Sequence, residues 1–200
     1  MSSDGREERG EVTRQALLNA ARTAFTDKGY AGASVRDIAR AAQAHPALVT
    51  YHFGSKANLY KRVIEEAVEA LLERVMDALA EATVRRDGAR LAFEIYLDHL
   101  EEHPYFPVLI QRGVLDGDEL VLDVLRPAFA MFLSASVGFS VDLGDDPRGD
   151  PRQLFLSLLG ATVVPFLFAP LLGEPGETVL ANRRAHLTAL LAGIFDETEV

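Results

Sequence analysis

The sequence predicts an all-α protein with a small helical N-terminal domain followed by a larger helical C-terminal domain. Apolar residues recur three and four positions apart along most of the 200-residue chain, which is the spacing of an amphipathic helix. The C-terminal part lacks the strict apolar and polar alternation that is typical of a half-buried strand. Glycine, proline and short polar runs separate the helical patterns, as expected at helix ends. Together these observations predict about nine helices.

The predicted helices follow from caps, breaks and apolar stripes taken in chain order. Residues 1–11 are charged and are predicted to be a mobile tail, with Thr13 as the cap of the first helix and Gly29 after its end. Ser34 and Asp37 have the spacing of a capping box and begin the second helix. Pro46 suits the first turn of the third, because its missing N–H needs no partner there. The predicted helices span residues 13–28, 34–42, 46–53, 56–84, 89–103, 107–114, 118–141, 151–172 and 177–195.

Charge is distributed unevenly along the chain, whose net charge is −10. Residues 1–62 carry ten Lys or Arg against six Asp or Glu, a net +4, and the remaining residues carry ten against 24, a net −14. A basic N-terminal part can bind phosphate locally, although the acidic remainder weakens non-specific binding to DNA. The absence of cysteine excludes disulfides and cysteine catalysis, and the N-terminus lacks the apolar core of a signal peptide. We therefore expect a cytoplasmic protein.

The two short helices at 34–53, separated by about three residues, predict a helix-turn-helix whose second helix enters the DNA major groove. This segment resembles the TetR family of bacterial one-component transcriptional regulators. The resemblance rests on Ser34, Arg36, Ile38, Ala39, Ala41, Ala42, Pro46, Val49, Tyr51, His52, Phe53, Ser55, Lys56 and Leu59. Two positions depart from the family pattern, because Gln43 stands where the family usually has glycine and Thr50 where it usually has tyrosine.

The resemblance implies that Arg36 reads a base, which two hydrogen bonds to guanine could do with about 1–3 kcal/mol of discrimination. A solvated surface arginine is the alternative. The small or apolar residues of the second helix are expected to face base edges and the polar ones to hold phosphates, with Val49 and Phe53 in the core. Tyr51 could instead be partly buried. The predicted DNA-binding residues are Ser34, Arg36, His45, Pro46, Ala47, Leu48, Thr50, Tyr51, His52 and Lys56.

We expect residues 12–70 to form the DNA-binding domain and residues 71–200 to bind an effector and a second copy of the chain, with the fourth helix shared between them. Ligand pockets are mostly apolar with a few polar groups. The resemblance implies such a cavity, and its predicted lining is Phe93, Tyr96, His99, Tyr105, Phe106, Gln111, Arg112, Phe132 and Phe166. Simple core packing is the alternative for each of these residues.

Residues 154–172 contain no charged side chain, a length that could cross a bilayer. Two prolines and several small or polar residues argue against a membrane span, and a helix that is apolar all round is normally buried on every side. The segment therefore predicts a homodimer in which residues 151–172 and 177–196 of each chain form a four-helix bundle. The resemblance implies the same interface.

No motif of an enzyme is found, since the chain lacks GxSxG, a P-loop and HExxH, and no cofactor is predicted. His99 and His103 lie one helical turn apart with Glu102 adjacent, but no third ligand is identifiable and no metal site is predicted. The prediction is a repressor that binds a palindromic operator as a dimer and is released by a small, largely apolar molecule. The alternative is a helical small-molecule carrier with a vestigial DNA-binding head.

Overall fold

A computed structural model describes residues 3–81, 85–138, 150–173 and 183–189, which are helical apart from short turns. The helices are α1 (Ser3–Gly32), α2 (Val35–Ala41), α3 (Ala47–Phe53), α4 (Lys56–Glu81), α5 (Arg85–Glu102), α6 (Tyr105–Leu115), α7 (Glu119–Gly138) and α8 (Pro151–Leu172). Residues 183–189 are also helical. These described ranges contain no strand, and the predicted all-α fold is confirmed.

The first helix differs from its prediction at its start. It begins at Ser3, so the residues predicted to be a mobile tail are helical from that point. Acidic residues soon after Ser3 favour a helix start, because they complement its positive N-terminal dipole. Thr13 lies inside α1, where its hydroxyl donates to the Arg9 carbonyl at 2.9 Å, and its predicted role as a cap is wrong. Gly29 interrupts the helical geometry with φ 69° and ψ 177°, at the predicted end of the first regular helix.

Later helix boundaries also differ from the predicted ones. Helix α5 begins at Arg85, so the break predicted at 85–88 is wrong; a glycine within a helix costs only about 1 kcal/mol, which neighbouring residues can offset. Helix α6 begins at Tyr105, because Pro107 falls within its first turn and needs no N–H partner there. Apart from Asp150, which caps α8, the predicted loop at 142–150 lies outside the described residues, as does most of the last helix. None of the described helices is both long and apolar enough to span a membrane.

The chain forms two compact units. The first unit comprises Met1–Val68 with Val108–Leu125, and the second comprises Glu69–Pro107 with Arg126–Val200. The first unit therefore includes parts of α6 and α7 that the sequence assigned to the C-terminal domain. Its core contains side chains that are fully excluded from solvent: Leu17, Leu18, Phe25, Ile38, Val49, Leu59, Val63, Ile64 and Val121. These residues join α1 and the two short helices to the first half of α4.

Two contacts fix the α6–α7 segment within the first unit. A Cβ atom on Gly113 would lie 2.5 and 2.8 Å from the two Cγ atoms of Val121, so only glycine allows α6 and α7 to approach this closely. The Arg112 guanidinium donates to the Thr26 carbonyl through Nη1 at 2.8 Å, which ties α6 to the last regular turns of α1. This segment is therefore a built part of the unit that carries the helix-turn-helix.

Candidate nucleic-acid interface and effector site

The start of α2 is fixed by a reciprocal cap. Ser34 Oγ accepts the N–H of Asp37 at 3.1 Å and donates to its carboxylate at 2.7 Å. The hydrogen bond from Ser34 and the neighbouring Arg40 guanidinium, which is ion-paired with Asp37, lower the pKa of this carboxyl. The predicted cap at Ser34 is therefore present, with the Asp37 carboxylate bound to the Ser34 hydroxyl, and this hydroxyl, predicted as a DNA contact, is occupied in holding the helix end.

The turn between α2 and α3 has a strained residue at its centre. Gln43 has φ 53°, in the left-handed region that non-glycine residues adopt at a cost of roughly 1–2 kcal/mol. The requirement for a positive φ explains why glycine is the usual residue here in proteins that this segment resembles. Gln43 therefore adopts the same turn geometry that glycine would, but with backbone strain.

Helix α3 is positioned from its two sides. On the inner side, Val49 is fully buried and attaches the helix to the core of the first unit, as predicted. At its start, His45 Nδ1 accepts the N–H of Ala47 at 3.2 Å, so the imidazole acts as a cap that the sequence did not predict. Because this bond uses Nδ1 as an acceptor, Nε2 carries the proton and can donate to a phosphate. Gly54 ends α3 with φ 77°.

The outer side of α3 faces solvent. Tyr51 is 80% exposed, so the alternative of a partly buried tyrosine is wrong, and Ala47 and Thr50 are exposed as well. Arg36 on α2 and His45 in the turn are also exposed. Among the other predicted DNA contacts, Pro46, Leu48, His52 and Lys56 are half-buried. All of the predicted DNA-binding residues lie on or beside the two short helices, and their contacts with DNA stay predictions.

Two residues at the edge of this surface are held by aromatic contacts. The Lys56 ammonium lies 4.4 Å from the ring centroid of Tyr30, close enough for a cation–π interaction. Phe53, predicted as a core residue, is only half-buried, and the Arg14 guanidinium lies 5.9 Å from its ring centroid. A short helix has few inward positions, so Val49 fills the core position while Phe53 stays at the boundary.

The predicted effector residues of the second unit gather around the end of α5 and the start of α6. Phe93, His99 and Phe106 are buried, and Tyr96 and Tyr105 are half-buried. The ring of His99 stands edge-on to Phe106, with centroids 4.9 Å apart. His103, which the effector prediction did not include, lies between them in sequence, with its ring centroid 4.5 Å from that of His99.

Tyr96 is hydrogen-bonded to a buried hydroxyl of α8. Burial raises the pKa of its phenol to about 12, and a side-chain hydrogen bond with Thr162 partly opposes this shift. Thr162 is itself buried and donates to the Leu159 carbonyl at 2.9 Å. Sequence reasoning missed Thr162, although a hydroxyl within the uncharged stretch of α8 was a signal that a polar partner lies opposite.

The remaining predicted effector residues are placed elsewhere. Phe132 stacks on Phe155 with ring centroids 6.2 Å apart. The side chain of Phe166 lies outside what the structure describes. Gln111 and Arg112 are in the first unit, where Arg112 is engaged with Thr26. The effector lining as a whole stays a prediction.

His99 is the most perturbed group of the second unit. Burial, the neighbouring His103 and the Arg74 charge together lower the pKa of its imidazole to about 4, against a weaker opposing effect of Glu102. Neither ring nitrogen has a hydrogen-bond partner within the described residues. In the same ranges, no group of three or more His, Asp or Glu side chains could hold a metal ion.

Residues 17–63 match the family model of bacterial regulatory proteins of the tetR family. The HTH-type transcriptional activator FasR of Mycolicibacterium smegmatis is 36% identical over 88 residues, which cover 44% of this chain and 40% of that protein. The HTH-type transcriptional repressor AcnR of Corynebacterium glutamicum is 33% identical over 91 residues, covering 42% and 48%. The chain thus spans less than half the length of these two curated relatives.

Solved structures resemble the chain over most of its length. The ketosteroid transcriptional regulator KstR2 of Mycobacterium tuberculosis has a TM-score of 0.69 at 19% identity, covering 90% of this chain and 93% of that one. The fatty acid degradation regulator FadR from Bacillus halodurans has a TM-score of 0.65 at 14% identity, covering 84% and 90%. At these identities the likeness shows a shared fold alone. The predicted resemblance to the TetR family is confirmed by these matches together.

Proposed function

We propose that this chain, whose residues 17–63 match the family model of bacterial regulatory proteins of the tetR family, is a ligand-responsive transcriptional repressor. It binds a palindromic operator as a homodimer, and a small, largely apolar molecule bound in the second unit releases it. FasR is a named activator and AcnR a named repressor, so these relatives support regulation of transcription, and repression is the direction proposed here. The two structural neighbours are named for ketosteroids and for fatty acid degradation, which favours an apolar effector. Because a regulator of this kind acts on the chromosome, the proposal includes a cytoplasmic location.

The DNA-binding part of the proposal rests on one observation, which is that α3 exposes one of its sides to solvent. Val49 is buried beneath the helix while Ala47, Thr50 and Tyr51 are exposed above it. Small side chains allow a helix to lie deep in a major groove and contact thymine methyl groups, and a tyrosine hydroxyl can hold a phosphate. Two such helices in a dimer would reach half-sites about 34–36 Å apart or a multiple of that distance.

The decisive experiment is selection of bound sites from random DNA, followed by gel shifts of the selected sites across a salt series. We expect enriched palindromic sites and binding that weakens steeply with salt, since each neutralised phosphate contributes a slope of about −0.9 on a double-logarithmic plot. A protein that enriches no sequence and shows no salt-sensitive binding would instead be a carrier with a vestigial head.

Arg36 is tested separately, with Arg40 as the matched control on the same helix. Arg36 is exposed, whereas Arg40 is ion-paired with Asp37. We expect Arg36→Ala to relax base preference at one position of each half-site by about 1–3 kcal/mol, or roughly 5- to 150-fold, and Arg40→Ala to keep the preference. Uniform weakening on all sequences by Arg36→Ala would assign this arginine to a phosphate.

The homodimer part of the proposal is supported by the exposed face of α8. Leu156, Val164, Phe168 and Leu171 are exposed, and their spacings of eight, four and three residues place them on one side of the helix. No charged residue interrupts α8 after Arg152. A contiguous apolar face of this kind marks an interaction surface, and a second copy of the same helix would cover it symmetrically. Most of the other predicted interface segment, 177–196, lies outside the described residues.

The interface is tested with two leucines of similar exposure. Leu171 is 78% exposed on the apolar face of α8, and Leu115 is 74% exposed at the end of α6. We expect Leu171→Glu to convert the dimer to a monomer in analytical ultracentrifugation, because the buried carboxylates would face an apolar surface. Leu115→Glu serves as the control and should stay dimeric. A wild-type chain that sediments as a monomer at tens of micromolar would contradict the proposed assembly.

A further inference from the structure

His99 presents unused hydrogen-bonding capacity inside the second unit. Its side chain is only 1% exposed, and neither Nδ1 nor Nε2 has a hydrogen-bond partner in the part of the chain that is described. Buried polar groups in native proteins are nearly always hydrogen-bonded, and each exception requires an explanation. An imidazole left without partners lowers stability, because it has lost its contacts with water and gained none in return.

The same face of α5 places apolar and polar side chains next to His99. Phe93, Tyr96 and His99 follow one another at intervals of three residues, which places them on adjoining parts of one helix face. Tyr96 is satisfied by Thr162, whereas His99 touches only the rings of His103 and Phe106 among the aromatic contacts. The face therefore combines apolar walls with one satisfied and one unsatisfied polar group, which is the usual composition of a small-molecule pocket.

We infer that His99 is the residue that hydrogen-bonds the effector, and that the effector is an uncharged, largely apolar molecule carrying a hydroxyl or a carbonyl group. This inference rests on the proposed function, since it assigns the recognition group and the chemical class of the releasing molecule.

The protonation state of His99 determines which class of ligand it can bind. With its pKa held near 4, the imidazole is neutral at pH 7 and offers one N–H donor and one acceptor nitrogen. A hydroxyl can bond to either nitrogen, and a carbonyl can accept from the N–H. A cationic ligand is disfavoured by the same burial that keeps His99 from taking a proton.

The cost of burying a charge disfavours an anionic ligand. The Arg74 guanidinium is already paired with Glu102 at 2.7 Å. Burying a further carboxylate beside His99 would cost free energy, because Arg74, the cation that acts on His99, is already engaged by Glu102.

The class is tested with four probes of equal chain length: 1-octanol, 2-octanone, octanoate and octylammonium. The full-length protein, labelled with ¹⁵N, reports on the ring nitrogens of His99 by NMR. We expect 1-octanol and 2-octanone to shift the His99 resonances and to bind at least about tenfold more tightly than the two ions. Tighter binding of octanoate or octylammonium, or no shift of the His99 resonances by the alcohol and the ketone, would overturn the inference.

The unsatisfied state of His99 is tested by replacement with an apolar residue of similar size. We expect His99→Leu to raise the melting temperature of the ligand-free protein by about 2–4 °C or more and to weaken 1-octanol binding about tenfold. Thr162→Val is the matched control, because it removes a buried polar group that does have partners, and it should lower the melting temperature. A lower melting temperature for His99→Leu, or unchanged 1-octanol binding, would show that His99 has a structural role.

These measurements use the protein without DNA, so they separate the two proposals. A protein that selects a palindromic site but fails the octanol tests keeps its proposed function and loses the assignment of His99. A protein that passes the octanol tests and selects no DNA sequence is a carrier of uncharged molecules.

Discussion

Replacing Gly113 with alanine should destabilise the protein, although alanine is the better helix former. Glycine to alanine in a helix interior normally stabilises by about 0.5–1 kcal/mol. Here the new Cβ atom would lie 2.5, 2.8 and 3.0 Å from Cγ2, Cγ1 and Cβ of Val121. Rotation of the valine cannot relieve the clash, because its Cβ atom is one of the three atoms that are too close.

The size of the effect follows from the movement required. Helices α6 and α7 would have to separate by on the order of 1 Å, which loosens contacts around the fully buried Val121, and such overpacking costs about 1–3 kcal/mol. After subtraction of the gain in helix propensity, we expect a net loss of about 1–2 kcal/mol. For a chain of this length, the melting temperature should fall by about 2–8 °C.

The assay is urea unfolding followed by circular dichroism at equal protein concentrations. Gly10→Ala is the matched control, since this glycine also lies in a helix and no atom would approach its Cβ within 4 Å. The stability of this variant should rise by the gain in helix propensity, because no clash opposes it. The double variant Gly113→Ala/Val121→Ala should be more stable than the sum of the single changes, with a coupling of about 1 kcal/mol. If Gly113→Ala is as stable as Gly10→Ala, the close approach of α6 and α7 is refuted.

Three further predictions concern the helix-turn-helix and the second unit. Ser34→Ala should cost about 1 kcal/mol in urea unfolding, because the N–H of Asp37 loses its acceptor, and Ser34→Thr should recover most of the loss. Gln43→Gly should stabilise by about 0.5–1 kcal/mol, because relief of the left-handed strain exceeds the entropic cost of glycine; a loss of stability would contradict the strain. The unfolded chain protonates His99 near pH 6.5 and the folded chain only near 4, so stability should fall by about 2–3 kcal/mol between pH 7.5 and 4.5. His99→Leu should lack this component, and parallel pH profiles for the two proteins would refute it.

Local signals in the sequence predicted the helix-turn-helix well. Caps and breaks act over three or four residues, so Ser34, Pro46 and Gly54 placed the ends of α2 and α3 without knowledge of the rest of the chain. The start of α1 was missed because charged residues such as those after Ser3 suit a solvated helix as well as a mobile tail.

Features that depend on distant residues were not accessible from local patterns. Arg112 and Thr26 are 86 positions apart, and no sequence signal indicates that a guanidinium of α6 bonds to a carbonyl of α1. The grouping of Val108–Leu125 with the first unit includes such a contact, and the domain bounds expected from the sequence stay a prediction. His99 was predicted as a candidate ligand contact, but its lack of partners became visible only when its neighbours were placed.

The left-handed glutamine in the turn has a consequence for engineering. Changes on the exposed side of α3 that alter sequence preference will often weaken packing around Val49, and a small domain tolerates few such losses. A glycine at position 43 would supply a reserve of stability from a residue that is not among the proposed base contacts. Laboratory selection for new operators should therefore recover more active variants from a Gln43→Gly parent than from the natural chain.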